Sequence, residues 1–497
     1  MVTHLNKIEI KLWLLGSLLV LCSISVVHAQ DQTSIIWDAP VAVGFEPTDN
    51  NRPRIAVNAD GNPLIFWGKD DGKELWMTRF DGDNFIPAQP IVDGDVDLFT
   101  AEWAGPDVGY AGDDIYAVFK RHPETENGVY LVKSHDGGQS WSDTVRVDNL
   151  DYTTDVQTRL PSIDANESGL VVVSMMKFTG NYIDPEYEVA ISTDFGETFG
   201  ELINTSTSFY DGEACDCCMS DIVVSNDEII QLYRNNDSNI RDIKAVVSST
   251  ETIDFESSIT IDESNTFSNV CFSSGPHAMI ENGKLLTVFR ATMGSGTRAA
   301  LSVTDLATGE LEFSDVIIDD IVVNAYQNNA RICGSDASGY LVLWEQVSPS
   351  NTNIVWTYAE DLEAGFNLNN YTLNVQQIGR QVNPDVTFAN GVFHATWQDK
   401  YTGEVMYAMG QPGIVQSIAK TPDIQVMVYP NPALDVIRIS GLEGRNFFIS
   451  SQNGSLIQEN TRSTSPQHTL DITHWSAGTY YVQDQESERV LTRFVKQ

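Results

Sequence analysis

One recurring interval limits the folding of this chain more than any other property. Strand-like runs open near Pro53, Pro106, Pro161, Met219, Pro276, Ala330 and Pro384, and so lie 53, 55, 58, 57, 54 and 54 residues apart. A second apolar run follows each at 64–67, 115–119, 170–175, 229–233, 285–289, 341–344 and 392–397. Between the two sit turn signals such as Asp60-Gly61, Gly112-Asp113, Glu167-Ser168-Gly169, Asn282-Gly283, Ser338-Gly339 and Asn390-Gly391, residues that supply the backbone conformations a tight hairpin needs. Helical periodicity is absent throughout. Short strands at a fixed period of about 55 residues specify an all-β ring of repeated four-stranded units, a β-propeller, rather than a sandwich or a plain barrel. Seven units fit the intervals; six fit if one unit is an insertion. The segment 35–43 precedes the first unit and supplies the outer strand of the last, which closes the ring.

Two of the turns carry a finer pattern. Ser134-His135-Asp136-Gly137-Gly138-Gln139-Ser140-Trp141 and Ser192-Thr193-Asp194-Phe195-Gly196-Glu197-Thr198-Phe199 both read Ser-x-Asp-x-Gly-x-x-aromatic, each at the end of a strand-like run. Glycine supplies a positive φ, Ser and Asp side chains satisfy turn N–H groups, and the aromatic ring packs back against the sheet. Decayed versions stand at 248–255 and 357–366. The pattern resembles the Asp box, or BNR repeat, of the sialidase-like β-propeller superfamily. The resemblance implies that these turns lie on one face of the ring and that any site lies on the other, where inner strands begin and second strands end.

The two ends of the chain read differently from its middle. Lys7 and Lys11 precede an apolar stretch at 12–27, and Val27-His28-Ala29 offers small residues before a cleavage point at Gln30, so 1–29 reads as a signal peptide. A membrane anchor is the weaker reading, because the stretch is short and interrupted by Ser17, Ser23 and Ser25. Residues 30–410 hold the repeats and 411–426 a linker. The segment 427–497 alternates in strand fashion between Gly and Pro turns, as a small β-sandwich does. Its Tyr429-Pro430-Asn431-Pro432 start, its Asp471-Ile472-Thr473 and Gly478-Thr479-Tyr480 core and its basic end resemble the type A C-terminal sorting domain of the type IX secretion system. That resemblance implies the secretion machinery as a partner, export through the outer membrane, and a secreted or cell-surface location. A net charge of −40 argues against nucleic acid and anionic membranes as partners, and no further run spans a membrane in the mature chain.

Against that acidity, the placing of the 29 Lys and Arg residues is informative. The face rule of the resembled family gathers Arg52, Arg54, Lys69, Asp70, Asp71, Lys120, Arg121, His122, Arg159, Lys177, Arg234, Arg241, Arg290, Arg331, Glu345, Arg380, Gln398 and Asp399 around one mouth. Arginine pairs bidentately with carboxylate or sulfate, so an anionic glycan is the expected partner, with Arg54, Arg121, Arg234, Arg290 and Arg331 binding it. The alternative is that these cations pair with the plentiful Asp and Glu. Sialidases hold a carboxylate with three arginines and attack with a Tyr activated by a Glu, an Asp handling the proton. The resemblance therefore implies Arg54, Arg234 and Arg290 as the clamp, Asp71 as acid/base, and Glu345 as partner of Tyr401 or Tyr326. The family's Arg-Ile-Pro signature is not matched: Arg52-Pro53-Arg54-Ile55 has those elements in another order.

Cys215, Cys217, Cys218 and Cys271 should open the fourth and fifth units side by side. Four thiolates, or three with His277, fit a structural zinc, and export equally permits disulfides. No cofactor is required for catalysis on this reading. Hydrolysis of an anionic glycan, lysis of a uronate chain using His122 or His277, and glycan binding without catalysis all fit the scaffold.

Overall fold

A computed structural model describes residues 32–44, 50–69, 73–92, 96–207, 209–263, 267–269, 273–293, 296–318, 326–362, 365–366, 370–415, 426–429, 431, 433–442, 446–451, 455–462, 467–485 and 490–497. Every regular element among them is a strand. Residues 1–29, read above as a signal peptide, Asp71 and Cys271 lie outside the described residues.

The repeats form antiparallel units of four strands. The first runs Asn50–Val57, Pro63–Lys69, Glu74–Arg79 and Gln89–Pro90, and the second Asp107–Ala111, Asp114–Lys120, Val129–Ser134 and Val145–Arg146. The same order recurs from Val156–Ala165, Asp221–Val224, His277–Glu281, Tyr326–Ser335 and Gly379–Ala389. These inner strands touch one another in sequence, and Gly379–Ala389 touches Asn50–Val57, so the units close a ring. Gln32–Trp37 pairs antiparallel with Val405–Val415, from Gln32 beside Val415 to Trp37 beside Gly410. The chain's beginning thus completes the unit that ends the ring. Between neighbouring units lie apolar layers, as where Leu64, Phe66 and Met77 meet Ile115, Phe119 and Val132. Such burial, at about 25 cal/mol per Å², is the main force holding unit to unit.

Both Ser-x-Asp-x-Gly turns close through their Asp and Ser side chains, and each also reaches the preceding unit. Asp136 accepts hydrogen bonds from Ser134 Oγ (2.7 Å), the Gln139 N–H (2.9 Å), the Ser140 N–H (2.8 Å) and Ser140 Oγ (2.6 Å). Asp194 accepts from Ser192 Oγ, the Thr198 N–H and Thr198 Oγ1 in the same way. Gly138 has φ 82°, and a Cβ there would lie 2.3 Å from Leu64 Cδ2 of the first unit. Trp141 stands edge-on to Phe66 at 5.6 Å. The turn is therefore a clasp between units as well as a hairpin.

The inner strands share two further devices. Four of them bulge at one register, with Arg52, Leu160, Asn329 and Asn383 at φ 48–55° where the ladder slips. A bulge re-aims the side chains beside it, here toward the ring axis at the end opposite the Asp boxes. Below the bulges a belt of hydrogen bonds runs from unit to unit. Asp107 accepts from the Ile163 N–H, Asp164 from Val224, Asp221 from Ala278, His277 Nδ1 from Ile332 and Asp385 from Ile55. The channel inside the belt has a volume of about 450 Å³.

The tail is built separately. Met427–Tyr429, Val436–Ser440 and Gln467–Asp471 form one sheet, and Asn446–Ser451, Leu456–Arg462, Gly478–Asp484 and Val490–Lys496 another. Ile437, Ile439, Phe447, Ile449, Ile472, Tyr480, Val482 and Phe494 fill the core between them.

Candidate functional site

The mouth of the ring is where the inner strands begin, and its centre is set by the bulges. Asn329 and Asn383, both left-handed, turn toward Glu345 at the end of Gly339–Val347. Asn329 Nδ2 donates to Glu345 Oε1 at 2.7 Å and the Asn383 N–H donates to the same oxygen at 2.6 Å. Glu345 is 4% exposed. Burial pushes its carboxyl up, against the opposing pull of those two donors and of Arg52 and Arg380. Among the described residues the donors to Glu345 are Asn329 and Asn383 rather than Tyr401. Tyr401 is 61% exposed on the turn after Val392–Asp399, and its ring lies over Gly379.

The arginines expected to clamp the substrate hold partners within the ring. Arg54 lies in the axial belt, its Nε 2.9 Å from Asp107 Oδ1 and its Nη1 donating to the Pro53 carbonyl. Arg331 lies in the same belt, 3.6 Å from Asp385. Arg234 is fully buried and donates to the carbonyls of Arg241 (2.6 Å) and Arg290 (2.9 Å). Arg290 donates to Asn328 Oδ1 at 3.2 Å, and the Arg121 guanidinium lies 5.8 Å from the centre of the Tyr130 ring. The physical reason is common to most of them. A buried guanidinium must be neutralised or hydrogen-bonded, and the ring meets that need with its own carboxylates and carbonyls.

Cations nearer the rim are held in the same manner. Arg380 forms a fork on Glu102, Arg159 Nε lies 3.1 Å from Glu124, and Lys177 binds Glu186 at 2.8 Å. Lys120 is drawn down to about 7 by burial and donates to Thr158 Oγ1 at 2.9 Å. Arg52 differs. The residue is 3% exposed, and its guanidinium donates from Nη2 to Met219 Sδ at 2.7 Å and leaves Nε without a partner among the described residues. Burial lowers its pKa, and so do the charges of Arg54 and Arg331 beside it. It lines a space of about 10 Å³ with Met219, Asp221, Asn329 and Arg331, enough for one water. Beyond it the rim carries exposed rings: Trp103, Tyr182, Tyr326 and Tyr401 are 36–61% exposed. Arg159 is stacked between Trp103 (4.5 Å) and Tyr182 (5.0 Å), which holds both rings in place.

Sequence reasoning missed Glu102, Trp103, Glu124 and Tyr182, which sit in connections and hairpins without a motif, and Asn329 and Asn383, whose left-handed backbone no motif announces. His122 stacks near Phe99. His277 is sealed in the axial belt, and burial lowers its pKa well below the usual range.

At the fourth unit the cysteines do cluster. Cys215 Sγ lies 3.6 Å from Cys217 Sγ and 3.3 Å from Cys218 Sγ. Cys217 is disulfide-bonded, while Cys215, Cys218 and Cys333 are free thiols. A half-cystine offers no thiolate, so a zinc held by all four sulfurs would require that bond to open. The hydrogen bond between Cys215 and Cys218 raises the Cys215 thiol and lowers the Cys218 thiol, while Arg234 and Arg241 favour the charged form of both.

Residues 427–497 match the family described as "Secretion system C-terminal sorting domain". A tail of that kind marks the chain for type IX secretion, to the cell surface or beyond. Among the described residues no helix is long and apolar enough to cross a membrane. Among solved structures, an α-L-arabinofuranosidase of Fusarium graminearum with arabinobiose is 10% identical over 76% of this chain and 98% of its own, with a TM-score of 0.43. A Trypanosoma rangeli sialidase is 12% identical over 93% and 92%, with a TM-score of 0.39. Puromycin hydrolase is 10% identical over 81% and 60%, with a TM-score of 0.47. A search among curated proteins finds no match to the sequence.

Proposed function

We propose that this chain is an exported glycoside hydrolase that acts on anionic glycans at the mouth of its propeller. The observation that carries the reading is Glu345. Its carboxyl is sunk at the centre of the mouth, raised by burial and oriented by Asn329 and Asn383. A carboxyl kept protonated above its ordinary range is what a general acid for glycosidic cleavage requires. Arg52, which forms no ion pair among the described residues, is the cation that grips an anionic group of the substrate. The exposed rings of Trp103, Tyr182, Tyr326 and Tyr401 offer apolar faces for sugar rings.

Lysis is the less supported alternative, because His277 is an acceptor inside the axial belt and has no route to a substrate proton. The test is incubation with sialylated, uronate-containing and sulfated glycans, with products followed by mass and by ultraviolet absorbance. The expected result is a new reducing end without an unsaturated uronate. Glu345→Gln should lower turnover by about 10²- to 10⁴-fold while glycan binding persists. Binding with no product from any glycan would make the protein a lectin-like module, and an ultraviolet-absorbing product would make it a lyase.

A further inference from the structure

Cys215, Cys217 and Cys218 remain unused by this reading, and their arrangement is more specific than a structural staple needs. The Cys218 N–H donates to the Cys215 carbonyl at 3.2 Å, so residues 215–218 form one tight turn. That turn brings Cys215 and Cys218, a Cys-x-x-Cys pair, to 3.3 Å between sulfurs, where a small rotation makes a disulfide. Both sulfurs are buried. Cys217, between them in sequence, is partly exposed, is already disulfide-bonded and lies 3.6 Å from Cys215 Sγ. Arg241 Nη1 donates to Cys215 Sγ at 2.8 Å, and its Nε donates to the Ser268 carbonyl. Among the described residues no carboxylate pairs with this buried guanidinium, so its charge favours a thiolate on the Cys215–Cys218 pair, the nucleophile of disulfide chemistry.

We propose that Cys215, Cys217 and Cys218 form a redox centre, in which the Cys215–Cys218 dithiol is oxidised and reduced through the Cys217 disulfide by thiols and disulfides outside the ring. In the oxidising direction the Cys215 thiolate attacks Cys217 Sγ. The Cys215–Cys217 bond forms, and the sulfur formerly bonded to Cys217 leaves as a thiolate. Cys218, having lost its proton, then attacks Cys215 Sγ, which makes the Cys215–Cys218 disulfide and releases the Cys217 thiolate. An outside disulfide, glutathione disulfide or that of a thiol oxidoreductase, re-forms the Cys217 bond by two successive exchanges. One outside disulfide is thereby reduced to two thiols, and the two protons shed by Cys215 and Cys218 balance them. The partly exposed Cys217 explains how two buried thiols reach an outside reagent. The turn also borders the mouth, since Arg159 Nη1 donates to the Asp216 carbonyl and Arg52 to Met219.

The test uses the folded full-length chain in glutathione buffers of graded oxidation, quenched in acid, labelled with a maleimide and mapped by peptide mass. The expected result is that Cys215 and Cys218 lose labelling together, in one two-electron step. Cys217→Ser, which removes the relay, should slow that loss at least tenfold. Cys218→Ser, which keeps the first exchange and removes the second, should accumulate the Cys215–Cys217 bond. The proposal is overturned if both thiols stay fully labelled at every ratio while the urea-unfolded chain oxidises. It is equally overturned if one tightly held zinc per chain protects all three sulfurs.

Discussion

Arg54 shows how a residue chosen for binding is claimed by structure. Its side chain is 2% exposed and its Nε faces Asp107, which is 15% exposed. Breaking a buried pair leaves a stranded charge and costs about 3 kcal/mol or more. Arg54→Ala is therefore expected to lower the thermal midpoint by several degrees, whereas a purely substrate-binding arginine would leave it unchanged; thermal unfolding with and without glycan separates the two. Glu345 makes the opposite case. Because burial raises its carboxyl, a general acid here stays protonated above the ordinary glutamate range. Activity should fall as pH rises through that raised value, and the remnant activity of Glu345→Gln should lack this limb in its pH–rate profile.

At the scale of elements, the belt of acceptors on the inner strands carries its own pH signature. Asp221 is pushed up to about 8 by burial, aided by the charges of Asp107 and Asp164 and opposed by Arg331 and the Ala278 N–H. In the unfolded chain the same carboxyl ionises near pH 4. The folded state thus binds a proton that the unfolded state has lost, and between about pH 4 and 8 this group lowers stability as pH rises. An asparagine keeps an oxygen for the Ala278 N–H, now 2.7 Å from Asp221 Oδ2, and never ionises. Asp221→Asn should match the parent near pH 4 and become increasingly the more stable of the two up to pH 8 in denaturant melts. An equal gap at all pH values would mean that Asp221 stays ionised in the folded ring. The bulges belong to this scale too: of the four left-handed residues at one register, Asn329 and Asn383 donate to Glu345.

On the scale of the whole molecule, the ring and the tail are separate constructions. Among the described residues no sheet joins strands of the repeats to strands of the tail, and the tail has its own apolar core. A chain ending near residue 415 is expected to keep the thermal midpoint and the glycan activity of the full protein and to lose export, as read by assaying cells against culture medium. A fall in midpoint on truncation would show that the tail braces the ring.

The order of strands, a closing strand before the first unit (expected at 35–43, formed by Gln32–Trp37) and the tight turns at Asp136 and Asp194 were legible in the sequence. They follow from local rules: alternation, turn residues and a repeated interval, each written within about 55 consecutive residues. The charged mouth was legible only as an inventory. Which arginine is neutralised depends on carboxylates far along the chain, Asp107 for Arg54 and Glu102 for Arg380, the latter 278 residues away. Closing the ring brought them together, and the cost of a buried unpaired charge then chose the partners. The sequence by itself therefore determined the propeller and the address on its tail. Only the tertiary structure decided that most of the mouth's cations are already paired, which leaves Arg52 and Glu345 at the centre and Cys215 beside a disulfide.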